Sequence, residues 1–258
     1  MSRTLRRSMK IAALGDVHWK EGMSVLREGG DLLAECDLVL LAGDITDSDN
    51  LEGYGEVIGA LKEMSDADII AVFGNEEYEP SHPVYRSKFN IRFLEDERLD
   101  LEVEDVKLRM VGSTGSVDRP TWWQRNNIPD IWKRYKDRMG KIEGLLERGD
   151  ADVLILLTHY APTYATLDGE KKSAFPEMGS LQMEKVILEK RPDLAIHAHA
   201  HRGKERAVLT RQQRSLEDFT LAGAEVVVHN VSLPTKGKVT VFDIMKDENG
   251  INIRELQG

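Results

Sequence analysis

Lys10-Ile11-Ala12-Ala13-Leu14-Gly15-Asp16-Val17-His18 decides the reading of this chain: a short apolar run stops at a glycine, and a carboxylate and an imidazole follow two residues apart. The pattern recurs along the sequence. Leu38–Ala42 runs into Gly43-Asp44-Ile45-Thr46-Asp47, and Ile69–Phe73 into Gly74-Asn75-Glu76-Glu77. Val153–Leu157 runs into Thr158-His159-Tyr160, and Leu194–Ile196 into His197-Ala198-His199-Ala200-His201. Short runs rich in Val, Ile and Leu read as strands buried on both faces. Helical patterns near 22–35, 51–64 and 180–190 lie between them, the last with Ser180 as a start and Pro192 as a stop. Strands alternating with helices imply an α/β fold whose ligands gather at the carboxyl ends of the strands. All five polar endings are therefore expected on one rim.

The C-terminal part changes character. Segments 205–211, 218–222, 225–231, 238–245 and 251–256 read as strands, with turns at Lys236-Gly237 and Glu248-Asn249-Gly250. Together they suggest a second, largely antiparallel sheet. An insert at about 119–150 carries a helix predicted over about 128–148, with Ile131, Tyr135, Met139, Ile142 and Leu146 at helical spacing. Residues 1–8 read as a basic tail with Arg3, Arg6 and Arg7, and residues 9–258 as a single domain. No apolar stretch of ~7–15 residues follows the tail, so it does not read as a secretory signal.

Across 258 residues, 41% are hydrophobic and 31% charged, a balance that excludes collagen and disorder. No apolar run approaches the ~20 residues a membrane helix needs, and no membrane partner is expected. With 35 Lys+Arg against 45 Asp+Glu the formal charge is −10, which argues against broad nucleic-acid binding. The single Cys36 cannot close an internal disulfide, fits a buried small side chain, and suits a reducing, cytoplasmic location.

The strand endings supply Asp16, His18, Asp44, Asn75, His159, His199 and His201. Carboxylate, amide oxygen and imidazole are the ligands that hard and borderline divalent metals take, and no cysteine takes part. Seven such groups suit two ions ~3.5–4 Å apart, the arrangement that activates water against phosphate esters. His199 and His201 lie two apart, so an extended segment points both to one side.

These residues resemble the calcineurin-like metallophosphoesterase family over roughly residues 9–203. The family pattern D-x-H, G-D-x-x-D, G-N-H-[DE], a lone His and G-H-x-H corresponds to Asp16-Val17-His18, Gly43-Asp44-Ile45-Thr46-Asp47, Gly74-Asn75-Glu76-Glu77, His159 and Ala198-His199-Ala200-His201. The chain looks most similar to the small prokaryotic branch described as cyclic-nucleotide-phosphodiesterase-like. The resemblance implies a four-layer αββα sandwich of two mixed β-sheets with a dimetal site at the strand C-terminal rim. It implies that Asp16, His18 and His201 hold one divalent ion, that Asn75, His159 and His199 hold the other, and that Asp44 bridges them. Manganese, iron, zinc and nickel all suit such a set. It implies in-line attack on a phosphate ester by a hydroxide between the ions, with no covalent enzyme intermediate.

Two departures stand out. Ala198 replaces the family's glycine, and Glu76 replaces a histidine that in the family contacts the substrate phosphate. A carboxylate repels a dianionic monoester more than a monoanionic diester, and acts as an acid only if burial raises its pKa. The function expected is a metal-dependent phosphoesterase favouring phosphodiesters, a nucleotide among the candidate substrates. The alternatives are a broad phosphomonoesterase and a non-catalytic interaction scaffold on the same fold.

Neighbouring polar residues receive quieter readings. Asp47 is expected to support a ligand or cap a helix, Glu77 to orient the rim, and His197 to be a hydrogen-bonded structural residue. His82 reads as part of a loop, and His229 as lying at a strand end. In the insert, Trp122, Trp123, Trp132 and Tyr135 interleave with Arg119, Arg125 and Arg134. Such a segment either caps the rim, stacking a base, or buries its aromatics in a core or an oligomer contact. The tandem Trp122-Trp123 reads as a loop.

Overall fold

The computed structural model describes residues 8–210 and 225–256. The basic tail expected at 1–8 and the strand expected at 218–222 therefore lie almost wholly or wholly outside the described residues. In chain order the first half contains β1 (Met9–Leu14), α1 (Met23–Glu28), α2 (Gly30–Leu33), β2 (Leu38–Ala42), α3 (Leu51–Met64), β3 (Asp68–Val72), α4 (His82–Lys88), β4 (Arg92–Phe93), β5 (Glu97–Val103) and β6 (Val106–Ser113). The second half contains α5 (Trp122–Asn127), α6 (Ile131–Leu145), β7 (Val153–Thr158), α7 (Phe175–Met178), α8 (Leu181–Lys190) and β8 (Leu194–His197). It ends with β9 (Arg206–Thr210), β10 (Glu225–Asn230), α9 (Leu233–Lys236), β11 (Thr240–Asp247) and β12 (Gly250–Leu256).

Two six-stranded sheets form, ordered β12-β11-β1-β2-β3-β4 and β5-β6-β7-β8-β10-β9. β1 to β4 run parallel, as do β6, β7, β8 and β10, while β11, β12, β5 and β9 pair antiparallel. Period-two alternation divides each strand between two cores. Ile11, Ala13, Leu38, Leu40, Ile70 and Val72 meet Leu108, Met110, Ile155 and Leu157 between the sheets. Their neighbours Ala12, Leu14, Val39 and Leu41 pack outward on Leu26, Leu33, Val57 and Leu61 of the helices. On the far side Leu154, Leu156 and Ala195 meet Ile142, Leu146, Met183 and Ile187. Helix, sheet, sheet, helix is the expected αββα sandwich.

The C-terminal strands correct one expectation. The expected antiparallel pairs form, β9 with β10 and β11 with β12, but they build no sheet of their own. β11 pairs with β1 and β10 with β8, so each antiparallel pair completes an edge that the parallel strands leave unpaired. The second sheet also needs β5 and β6, whose strand character the sequence reading passed over. The helix expected over 22–35 is broken at Gly29, which lies too close to Val239 for a side chain: a Cβ there would sit 2.8 Å from Val239 Cγ2. The insert likewise holds two helices, and Trp122-Trp123 opens the first of them. Thr121 and Gln124 form a reciprocal cap there, which a search for apolar spacing alone does not detect.

The sheets converge at the rim. A Cβ on Gly15, after β1, would lie 2.5 Å from the Ala198 Cβ that follows β8. The Ala198 that departs from the family glycine is thus accommodated by a glycine opposite. We expect Gly15→Ala to destabilise the protein by about 1–3 kcal/mol through overpacking, read as a lower denaturant midpoint at unchanged slope. The same variant should lose divalent-metal affinity, because it separates the two rims.

Candidate metal centre

The close approach at Gly15 brings the endings of β1, β2, β3, β7 and β8 together. The His199 N–H donates to Asp16 Oδ2 at 2.6 Å, tying the second sheet's rim to the first. Asp16, His18 and His201 form one group of candidate donors, and Asp44, His159 and His199 a second, each within 4.8 Å internally. Asn75 joins the second group, its Oδ1 lying 3.0 Å from His159 Nε2. All seven candidates from the sequence therefore meet at the rim.

Their backbone is unusual. Asp16, His18, Asp44 and His199 have φ of 51°, 47°, 50° and 70°, a left-handed region that costs such residues roughly 1–3 kcal/mol each. One buried carboxylate holds much of this loop structure. Glu77 Oε2 accepts the N–H groups of Asp44 and Gly74 at 2.9 and 2.8 Å, and Oε1 those of Ile45 and Thr46 at 2.8 and 3.3 Å. Burial and the Asp44 charge push Glu77 up to about 7, against the pull of these N–H groups. Gly74 passes so near Asp44 that a Cβ would fall 2.4 Å from the Asp44 nitrogen. His82, which lies on α4 and not in a loop, stacks on Phe73 and has Nε2 3.1 Å from the Glu77 carbonyl.

The imidazoles are aimed from behind. His18 Nδ1 donates to Asp47 at 2.7 Å, which leaves Nε2 facing the cluster, 3.4 Å from His201 Nε2. His159 Nδ1 donates to the Ala42 carbonyl at 2.9 Å. Such outer partners set tautomer and direction in metal sites. Asp47 thus supports a candidate ligand, while Asn50 caps α3. His197 is buried and hydrogen-bonded to Thr166 at 2.8 Å, a structural residue, with its pKa pressed down to about 4 by burial. His229 lies one residue before the end of β10 and faces Glu255 at 3.3 Å. Cys36 is buried, and burial pushes its thiol up to about 11.

The donors fit cations. Asp16 Oδ1 is buried with no hydrogen-bond partner, an acceptor that a cation would satisfy. Burial opposes ionisation of Asp16, yet the His201 hydrogen bond and the His159 charge hold its pKa below the usual carboxylate range. Burial keeps His199 neutral, down to about 3, so it offers a lone pair. Burial also opposes charging of His159, but Asp44 overrides this and raises it to about 9. A proton on Nε2 then faces Asn75 Oδ1 and Asp44 Oδ2, the latter at 3.4 Å, where a cation would serve both oxygens.

Glu76 is fully engaged. Its Oε2 accepts from the Ser48 N–H at 2.8 Å and its Oε1 from the Asn75 amide at 3.1 Å, which turns Asn75 Oδ1 towards His159. Its own N–H donates to Asp44 Oδ1 at 2.8 Å. The sequence reading missed Tyr160, whose ring lies 4.9 Å from that of His199 and whose hydroxyl accepts from Gln124 of the insert at 3.3 Å. Only its place beside His159 signals it in the sequence.

Comparison with known proteins supplies a family. The family model described as calcineurin-like phosphoesterase matches residues 9–203. Among solved structures, TT1561 of Thermus thermophilus is 15% identical with a TM-score of 0.55, covering 97% of this chain and 100% of its own. Purple acid phosphatase PPD1 of yellow lupin seeds is 11% identical with a TM-score of 0.53; 97% of this chain covers 52% of that one, so the chain spans about half of it. At such identities the likeness concerns the fold. No curated protein matches in sequence.

With His159 raised, uptake of an ion at this imidazole would be a proton exchange. Below about 9 the metal-free imidazole carries a proton that an ion must displace, so affinity should climb as pH rises towards that value. Calorimetric titration at neutral pH in buffers of different ionisation enthalpy should show release of about one proton or more per chain loaded.

Proposed function

The chain belongs to the calcineurin-like phosphoesterase family, and on that premise we propose a dinuclear, metal-dependent hydrolase of phosphate esters that favours phosphodiesters. The observation carrying this reading is the meeting of two donor groups at one rim, with Asn75 beside the second. Asp16, His18 and His201 are assigned to one ion, Asn75, His159 and His199 to the other, and Asp44 to both. Manganese, iron, zinc or nickel would suit this oxygen and nitrogen set. When bound, two such ions supply the acidity that ionises water near neutral pH and the charge that offsets negative build-up on phosphoryl oxygens.

The chain's own residues do the positioning. Asp47 and the Ala42 carbonyl fix the tautomers of His18 and His159, and Glu77 holds the Asp44 backbone. Glu76 fixes the Asn75 amide. Because both Glu76 oxygens accept N–H groups, the residue is suited to adding negative charge at the rim and not to donating a proton. That charge disfavours a dianionic monoester against a monoanionic diester. No candidate ligand of the family pattern is missing, which weighs against a purely structural scaffold. A nucleotide ester remains one substrate class within this reading.

Two measurements test it. Metal analysis of the saturated protein should give two ions per chain, and Asp44→Asn should retain fewer. Loss of a direct ligand should cost more than the ~10–100-fold that outer partners cost, so hydrolysis of a chromogenic diester should nearly vanish. One ion or none in a well-folded wild type overturns the dinuclear reading.

Glu76→His should move the diester-to-monoester rate ratio towards monoesters. A change of about 1 kcal/mol alters a rate about fivefold, and the direction follows from replacing a negative group with a neutral or positive one. An unmoved ratio would remove Glu76 from specificity and leave it only as the anchor of Asn75.

A further inference from the structure

Exposed large apolar side chains concentrate in one region. Among the described residues Tyr78, Val84, Trp122, Trp123, Trp132 and Leu181 are exposed, and only Val208 lies elsewhere. The three tryptophans are 70%, 60% and 55% exposed, on α5 and α6 of the insert. The other three flank it. Arg134 of α6 pairs with Glu79, drawing in the segment of Tyr78 and Val84, while Asp118 before α5 accepts the Leu181 N–H at 2.9 Å. The buried side of α6 is complete without the tryptophans: Ile131, Tyr135 and Ile142 face inward.

Charge follows the same division. Residues 119–148 hold eight Arg/Lys against four Asp/Glu, a net +4 that leaves −14 for the remainder of the chain. Lys133, Lys136 and Lys141 are exposed on the same helix as Trp132, and Lys136 and Lys141 have no ion-pair partner among the described residues.

We propose that the insert docks this protein onto the surface of an anionic lipid bilayer, with the tryptophans at headgroup level and the α6 lysines against lipid phosphates. Indole rings favour the membrane–water interface, and an apolar face rich in Trp beside Lys and Arg is the composition that lies in that plane. The expectation of no membrane partner rested on the lack of a spanning run, and no helix among the described residues is long and apolar enough to cross. Lying on a bilayer needs no such run. Arg119, Arg134, Arg138 and Arg148 of the insert are paired with Glu177, Glu79, Asp96 and Asp193 of the body, so the attraction rests on the unpaired Lys136 and Lys141 and not on the whole +4. Exposed Val84 and Leu181 favour lipid over single-stranded nucleic acid, since aliphatic side chains offer bases no stacking face. The insert joins the metal rim through Gln124 and Tyr160, so docking would turn that rim towards the headgroups.

The test is partition of the full chain onto vesicles, read by sedimentation without turnover, so its outcome is separate from that of the hydrolase reading. Wild type should bind vesicles of phosphatidylcholine with phosphatidylglycerol more tightly than phosphatidylcholine alone, and added salt should narrow the gap. Trp122→Ala, Trp123→Ala and Trp132→Ala should each lower affinity by about tenfold. A Lys136→Glu, Lys141→Glu double variant should lose the preference for anionic vesicles. All these side chains are exposed, and circular dichroism checks that each variant is folded. No binding by wild type, or binding unmoved by the tryptophan changes, overturns the proposal. So does preference for a single-stranded oligonucleotide over vesicles, or tryptophan-dependent dimerisation without vesicle binding.

Discussion

The contact between Gly15 and Ala198 governs this structure more than any other. Each sheet could form its own layer without it, but the candidate metal rim could not. The two residues end strands in different sheets, and their approach permits the His199 N–H to reach the Asp16 carboxylate at 2.6 Å. Every candidate ligand lies within a few residues of a strand end on this seam. The interior supports the arrangement: the inter-sheet core fixes how the sheets face one another, and the parallel strands then deliver their carboxyl ends to one side.

Holding carboxylates and imidazoles so close is costly in a metal-free chain, and a buried polar network offsets that cost. Glu77 satisfies four backbone N–H groups from two loops, and His82 braces the Glu77 carbonyl while stacking on Phe73. The preceding residue, Glu76, acts in the same way by gripping Asn75 and Ser48. The left-handed backbone at Asp44 persists because these bonds over-determine it, while the N–H groups of Asp16, His18 and His199 are held by the Gly43 carbonyl, the Asp44 carbonyl and the Asp16 carboxylate. Strain and support therefore occupy the same few residues.

The outer surface is organised by a different balance. The body is acidic, whereas the insert is basic and exposes three indoles beside the rim. Its inner face is a small aromatic core in which Tyr135 and Tyr160 meet edge to face at 6.3 Å. Through Tyr160 that core touches His199, so the insert and the candidate metal centre share one packed wall.

Much of this was legible in the chain because local pattern and chemistry coincide. Five apolar runs ending in Asp, Asn and His mark strands and candidate ligands together, since a buried parallel strand can place polar groups only at its ends. The roles of Asp47 and Glu77 also followed from their places beside those ligands. Partnerships between distant segments were not legible. Nothing in residues 238–256 says that β11 joins β1 and not its own sheet, because an apolar strand pairs with whichever edge the tertiary fold leaves open. Glu76 likewise carries no mark of its hold on Asn75, which depends on Ser48 arriving from another loop. The tryptophans of the insert keep no helical rhythm that would separate a packed face from an open one. Their exposure was decided only when Ile131, Tyr135 and Ile142 filled the available core.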